Sequence, residues 1–366
     1  MPPQPITLAD YESQARERLD PGTWAYIHGG AADEFTLRAN TESWQRLEIW
    51  PRVLRPLAGG HTQVQLAGRT LAHPILLAPV AHQQLAHPDG EAASALAAAA
   101  QGAGYVLSAQ SSVPLEAVAQ AVLGDPGRGL LWFQLYWQHD RGFNLSLAER
   151  ARAAGYEALV LTADAPVSGA RDRERRTGFN LPPGITSVHL RDLPPLRQVD
   201  AGTYCGGLPA HALRWEDIAW LQERSPLPIW IKGVLHPQDA LQARQLGVAG
   251  LIISNHGGRT LDTAPATARA LPRIASALEG ALPLIVDGGI RRGTDVLKAM
   301  ALGASAVLIG RPVMHGLAAA GALGVARVIR LLRDELEIAM ALSGCRTLGE
   351  ATPALIDSAS QGSSIS

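Results

Sequence analysis

The segment SNHGGRTLD, residues 254–262, sets a histidine beside a serine and ahead of two glycines, with an arginine three places on. His256 follows GLIIS, an apolar run that reads as a buried strand, so the pattern ends that strand on an imidazole. Such a histidine is either a packed or surface residue or a base held within reach of a small acid. The second use is chemically apt, because an imidazole titrates near neutral pH and can take a proton there. Arg259 adds a planar fork that matches a carboxylate. Farther along, VDGGIRRGTDVLKAM puts Asp287, Gly289 and Arg291 between a strand and a helix start, and IGRP puts Gly310 and Arg311 at the next strand end. Bare backbone amides, a helix N-terminus and an arginine fork make a phosphate site. The alternative is ordinary turn glycines with solvated arginines.

These residues need a frame that brings them together. Apolar, β-branched runs recur at 74–79, 105–109, 130–136, 158–164, 228–234, 250–256, 283–289 and 306–311, with helical patterns such as WEDIAWLQERS and PQDALQARQLG between them. Continuous apolar runs suit strands buried on both faces. Their alternation with helices predicts an α/β fold, a (β/α)8 TIM barrel, over residues 74–350; a doubly wound open sheet is the alternative. Residues 1–60 read as an N-terminal helical segment. TQVQLAGRTLA reads as a hairpin turning at Ala67–Gly68, able to plug the barrel bottom. The proline- and glycine-rich stretch 165–227 reads as a lid loop over the barrel mouth. The whole chain, 1–366, is expected to form a single domain. Polar residues end nearly every predicted strand: Pro79, Val80 and Ala81 follow the first, then come Ser108, Gln134 with Tyr136, Thr162 with Asp164, Lys232, Ser254 with His256, Asp287, and Gly310 with Arg311. In a barrel of this class the C-terminal strand ends form the catalytic face.

Composition excludes several classes of function. The chain has 366 residues, 47% hydrophobic and 18% charged, with a formal net charge of −1. That balance offers no electrostatic footprint for nucleic acid or an acidic membrane surface. Two cysteines are too few for a disulfide framework, and the polar opening MPPQPITLADYESQ does not read as a secretory signal. No uninterrupted apolar run reaches the ~18 residues expected of a spanning helix. A cytoplasmic protein is expected. His82 and His87 lack a carboxylate or cysteine pattern for metal, so no metal is expected.

The chain resembles the FMN-dependent 2-hydroxy-acid oxidases and dehydrogenases over roughly residues 8 to 350. The resemblance is carried by YIHGGAADEFTLRAN, PVAHQQLAHPDGE, WFQLYW, LTADAPVSGARDRERR, IKGV, SNHGGRTLD, DGGIRRGTDVLKAMALGA, GRP and ALSGCRTL. LTADAPVSGARDR and KGVLHP look more like the lactate oxidase branch than the glycolate oxidase branch. The resemblance implies FMN as cofactor, an (S)-2-hydroxy acid (lactate-like or larger) as substrate, O2 as electron acceptor with H2O2 as product, and a homotetramer. It implies His256 as general base paired with Asp164, Arg259 and Arg171 as carboxylate clamps, and Tyr26 and Tyr136 as hydrogen-bond partners of the substrate. Ser108, Gln134, Thr162, Lys232 and Ser254 would surround the flavin ring. Pro79, Val80 and Ala81 would lie on its N5 side, and Asp287, Gly289, Arg291, Gly310 and Arg311 would take the ribityl phosphate. Gln110 departs from the family, which carries an aromatic residue there near the substrate's side chain, and His82 is also unusual. A dehydrogenase using a quinone or another acceptor is the alternative activity; an inactive FMN-binding barrel is the alternative of another class.

Overall fold

The computed structural model describes residues 5–196 and 204–356. A two-stranded hairpin, β1 (Val64–Leu66) and β2 (Arg69–Leu71), precedes the barrel. The barrel strands are β3 (Ile75–Leu77), β4 (Gly104–Ser108), β5 (Leu131–Tyr136), β6 (Ala158–Thr162), β7 (Ile229–Val234), β8 (Gly250–Ile253), β9 (Leu284–Val286) and β10 (Ala306–Ile309). They pair in sequence order, all parallel, and β10 closes on β3. The closed sheet settles the architecture as the (β/α)8 barrel and removes the open-sheet alternative.

Strand alternation explains how the barrel delivers its polar residues. Leu76, Val106, Trp132, Val160, Trp230, Ile252, Ile285 and Leu308 form one interior cluster. Their neighbours Leu77, Leu107, Phe133, Leu159, Ile231, Leu251 and Val307 belong to the larger core shared with the surrounding helices. Side chains alternate faces along a strand. Two residues beyond each interior residue therefore comes the next inward position: Ala78, Ser108, Gln134, Thr162, Lys232, Ser254, Asp287 and Gly310. At six of these eight positions the barrel's inner wall turns polar, at its C-terminal end; Ala78 and Gly310 are the exceptions.

The hairpin closes the other end. Ala67 and Gly68 both have positive φ, 49° and 75°, as a two-residue hairpin turn requires. Leu66 and Leu71 join the interior cluster, and Arg69 donates to the carbonyls of Arg128 (2.9 Å) and Gly129 (3.2 Å), just before β5.

Three helices open the chain: α1 (Leu8–Arg18), α2 (Pro21–His28) and α3 (Phe35–Arg46). Asp20 caps α2 through Gly22 and Thr23, with Pro21 at its first turn. The barrel layer adds α4 (Gly90–Ala100), α5 (Leu115–Val122) and α6 (Arg141–Ala153), then α7 (Asp172–Arg176), α8 (Trp215–Gln222), α9 (Pro237–Leu246), α10 (Thr267–Leu278), α11 (Gly293–Ala301) and α12 (Arg311–Ser343). The stretch expected to be a lid loop is not loop throughout. It contains α7 and α8, and α8 buries Ile218 and Leu221 as a member of the barrel's helical layer. The chain breaks helical geometry inside α12 at Ala320 and Gly321. That helix is long and apolar enough by composition to cross a membrane, but 67% of its most apolar window is buried inside the molecule. It packs on α1, α4 and α11.

Candidate active site

His256 does not end a strand, as the apolar run suggested. β8 stops at Ile253, and His256 begins a tight turn with φ of 58°. A left-handed backbone costs a side-chain-bearing residue roughly 1–2 kcal/mol, so the turn must be held. The Ser254 hydroxyl accepts from the His256 N–H at 3.0 Å, and the Asn255 side chain accepts from Gly258 N at 3.1 Å. Asn255 is itself fixed by a reciprocal amide pair with Asn40 on α3, at 2.8 and 2.7 Å.

The turn aims the imidazole between two partners. Nδ1 lies 2.9 Å from Asp164 Oδ1 and Nε2 lies 3.2 Å from the Tyr136 hydroxyl. Asp164 comes this close because β7 carries Gly233, where φ is 105° and an added Cβ would sit 2.5 Å from the Asp164 Cβ. Burial pushes the Asp164 carboxyl upward, but Lys232 and His256 outweigh it and hold it below its ordinary value. Burial and then Lys232 lower the His256 pKa against the pull of Asp164. Burial pushes the Tyr136 hydroxyl up to about 12. At neutral pH the group is therefore an aspartate, a neutral imidazole and a neutral phenol. The aspartate requires the proton on Nδ1, which leaves the Nε2 lone pair facing Tyr136 and the cavity.

That cavity is lined by Tyr26, Tyr136, Arg171, His256 and Arg259, together with Pro79, Val80, Ala81 and Gln110. Arg259 donates through Nη1 to the carbonyls of Tyr26 (2.6 Å) and Gly29 (3.0 Å), and its guanidinium lies 5.3 Å over the Tyr26 ring. Burial, then repulsion from Arg171, lowers its pKa to about 10. Arg171 has Glu174 at 3.5 Å, while its Nε is buried without a partner. Two adjacent guanidiniums with so little neutralisation invite an anion.

Behind the cavity wall runs a polar chain. Ser108 Oγ donates to Gln134 Oε1 at 3.1 Å, and Gln134 Nε2 donates to Thr162 Oγ1 at 2.9 Å. Thr162 and Lys232 line the cavity, whereas Ser108, Gln134 and Ser254 stand behind them. Lys232 Nζ donates to Ser254 at 2.9 Å and lies 3.5 Å from Asp287 Oδ2. Burial opposes the lysine's charge, yet Asp287 and Asp164 together raise its pKa. The other Asp287 oxygen, Oδ1, is buried without a partner.

The glycine loops complete the lining. Gly288, Gly289, Arg291, Gly310 and Arg311 all border the cavity. Gly289 has φ of 87°, and a Cβ there would meet the Asn40 carbonyl at 2.3 Å, so the loop presses against α3. Arg311 is partly a strut: it donates to the carbonyls of His28 (3.1 Å), Gly257 (2.9 Å) and Gly29 (2.9 Å). Two of a guanidinium's five N–H groups remain. Burial, Arg259 and Arg291 hold its pKa well below the ordinary value, a site short of negative charge. These features suit FMN: a fixed cation and an unpaired carboxylate oxygen in the middle, and glycine amides with arginines at the phosphate end.

Sequence reasoning missed the contribution of α3. Asn40 and Trp44, whose indole donates to Gly288 O at 2.8 Å, bind both active-site loops. Asn40 and Asn255 lie 215 positions apart, so no local pattern links them. The structure also gathers Glu12, His28 and His315, with ligand atoms within 4.8 Å of one another. Burial and then Arg311 lower the His28 pKa to about 3, and that cationic field disfavours a metal ion.

Comparison with known proteins agrees with this geometry. Residues 15–358 match the FMN-dependent dehydrogenase family. The L-lactate oxidase of Roseobacter sp. (strain GAI101) is 47% identical, the alignment covering 96% of this chain and 95% of that protein. Glycolate oxidase 1 of Zea mays is 44% identical, with 94% of each covered. A solved structure of mandelate oxidase with (S)-2-phenylpropionate superposes with a TM-score of 0.87 at 41% identity, covering 97% of this chain and 98% of that one. The chain belongs to the FMN-dependent dehydrogenase family, among the FMN-dependent 2-hydroxy-acid oxidases, and FMN is its cofactor.

Proposed function

We propose that this protein oxidises an (S)-2-hydroxy acid, lactate-like or larger, to the 2-oxo acid and returns the two electrons to O2, which takes up two protons to become H2O2. The observation that carries the reading is the Asp164–His256–Tyr136 line facing a cavity that also holds Arg259 and Arg171. Arg259 and Arg171 bind the substrate carboxylate, Arg259 through the N–H groups not used on Tyr26 and Gly29. Tyr26 adds a hydrogen bond to the carboxylate, and Tyr136 orients the hydroxyl. His256 Nε2 takes a proton from the substrate, and Asp164 stabilises the imidazolium that results. When bound, FMN supplies the two-electron acceptor. Lys232 would place positive charge beside the flavin ring, with Ser108, Gln134, Thr162 and Ser254 supporting that wall. Pro79, Val80 and Ala81 would border the ring, and Asp287, Gly289, Arg291, Gly310 and Arg311 would hold the ribityl phosphate. A homotetramer in the cytoplasm completes the proposal.

Hydrogen peroxide measured across a panel of 2-hydroxy acids tests the activity. Stoichiometric peroxide is the expected result. Reduced protein that stays reduced in aerated buffer, yet is reoxidised at once by a quinone, would replace the oxidase reading with the dehydrogenase one.

A further inference from the structure

Two polar side chains at the cavity, one lining it and one packed beside that residue, are left unused by the chemistry above. Gln110 lines the cavity, and its side-chain amide makes no hydrogen bond among the described residues. His82 is 5% exposed and its Nδ1 is buried without a partner. Its φ of 52° is left-handed, a conformation a side-chain-bearing residue adopts only when its surroundings impose it. Two backbone bonds impose it here. His82 N donates to Gln110 O at 3.1 Å, and Leu85 N donates to His82 O at 3.0 Å. The first of these bonds holds His82 directly beside the cavity-lining Gln110. The His82 ring centroid lies 6.4 Å from that of Tyr26, the ring under the Arg259 guanidinium. His82 therefore stands near the aromatic ring that packs on the Arg259 guanidinium, with Gln110 next to it on the cavity surface.

We propose that Gln110 and His82 form a subsite for the substrate's side chain, and that the preferred substrates are 2-hydroxy acids bearing an uncharged hydrogen-bonding group there, such as a second hydroxyl. The inference rests on the proposed oxidation of 2-hydroxy acids. An alkyl side chain would cover the Gln110 amide without a hydrogen bond and leave the buried His82 nitrogen still unpaired. A hydroxyl can donate to one and accept from the other. Burial lowers the His82 pKa, so the imidazole is neutral and presents no charge to a second carboxylate. Sites that hydrogen-bond a substrate hydroxyl reject the analogue lacking it far more strongly than apolar pockets reject a missing methylene.

Near-isosteric substrate pairs test this on the FMN-loaded enzyme. Anaerobic flavin reduction is measured for (S)-glycerate against (S)-2-hydroxybutyrate, and for (S)-2,4-dihydroxybutyrate against (S)-2-hydroxyvalerate. The hydroxylated member is expected to win in kcat/KM by about tenfold or more in at least one pair. Gln110→Met, close in shape but without the amide, should erase most of that ratio, and His82→Phe should reduce it. Flavin absorbance counts the folded, loaded fraction of each variant, so the ratio is read on that fraction and partial misfolding is not mistaken for a change in preference. Equal or better reduction by the alkyl member in both pairs overturns the proposal, as does a ratio that survives Gln110→Met. (S)-Malate outperforming all four acids overturns the uncharged assignment. If no 2-hydroxy acid reduces the flavin, the activity itself is wrong and the subsite falls with it.

Discussion

His256 concentrates the chemistry in one side chain with two faces. Asp164 fixes the tautomer from one side, and Tyr136 with the cavity receives the lone pair on the other. His256→Ala should keep its flavin absorbance yet lose roughly 10²–10⁴ in the rate of anaerobic flavin reduction, the range for loss of a general base. Normal reduction by that variant would remove His256 from the base role. The pH profile is a second handle. The base works as neutral imidazole, and its pKa lies below the ordinary 6.5 because burial and Lys232 outweigh Asp164. Activity should therefore hold as pH falls through 6.5 and drop only below it. Asp164→Asn removes the main group pulling that pKa upward. Its acid limb should move to still lower pH while its plateau rate falls, since the imidazolium loses its counter-charge. An acid limb that moves upward instead would contradict the assigned electrostatics.

At the scale of elements, the site is a layer of barrel strand ends clamped by α3. Gly289→Ala isolates that clamp, because the new Cβ meets the Asn40 carbonyl at 2.3 Å on a backbone with φ of 87°. The left-handed backbone alone costs roughly 1–2 kcal/mol, and the clash with backbone cannot be relieved by a rotamer change. Both FMN retention and Tm should fall; a variant with wild-type Tm and flavin content would mean that α3 is not a clamp. The same layer explains what was legible in the sequence. Ser108, Gln134, Thr162, Lys232, Ser254, Asp287 and Gly310 share one alternation phase with the apolar residues two positions earlier, so continuous runs ending in polar residues carried both the barrel and its catalytic rim. The turn at His256 is not legible, since GLIIS continues into SNH without a breaker before Gly257 and the pattern predicts a strand three residues longer than β8. The Asn40–Asn255 pair was hidden because long-range amide pairing leaves no period. The buried α8 was visible as a helical pattern, but the proline- and glycine-rich residues before it drew the whole stretch into the lid.

At the scale of the whole molecule, the fold buries histidines in neutral form, and this ties stability to pH. Burial is the leading cause in each: it lowers His28 to about 3 and both His73 and His189 to about 4, and it holds His315 well below the ordinary value. His73 shows how the neutral form is specified, with Nδ1 accepting from Ile75 N at 3.2 Å and Nε2 against Gln101 O at 2.9 Å. Below pH 6.5 the unfolded chain takes protons on these rings while the folded chain does not. Stability is therefore fully present above 6.5 and is lost as pH falls toward about 4 for His73 and His189. Each ring contributes up to about 1.4 kcal/mol per pH unit inside that window. Asp295, whose pKa burial raises, acts in the opposite direction but as a single group. Urea unfolding midpoints of the FMN-loaded enzyme should fall steeply between pH 7 and pH 5. His73→Gln should be less stable than wild type at pH 7, having lost a fitted buried ring, yet should lose less stability on going to pH 5. The two urea midpoints should thus converge as pH drops. Parallel pH dependences would show that His73 already takes up its proton in the folded state, and the neutral-core account of acid sensitivity would fail.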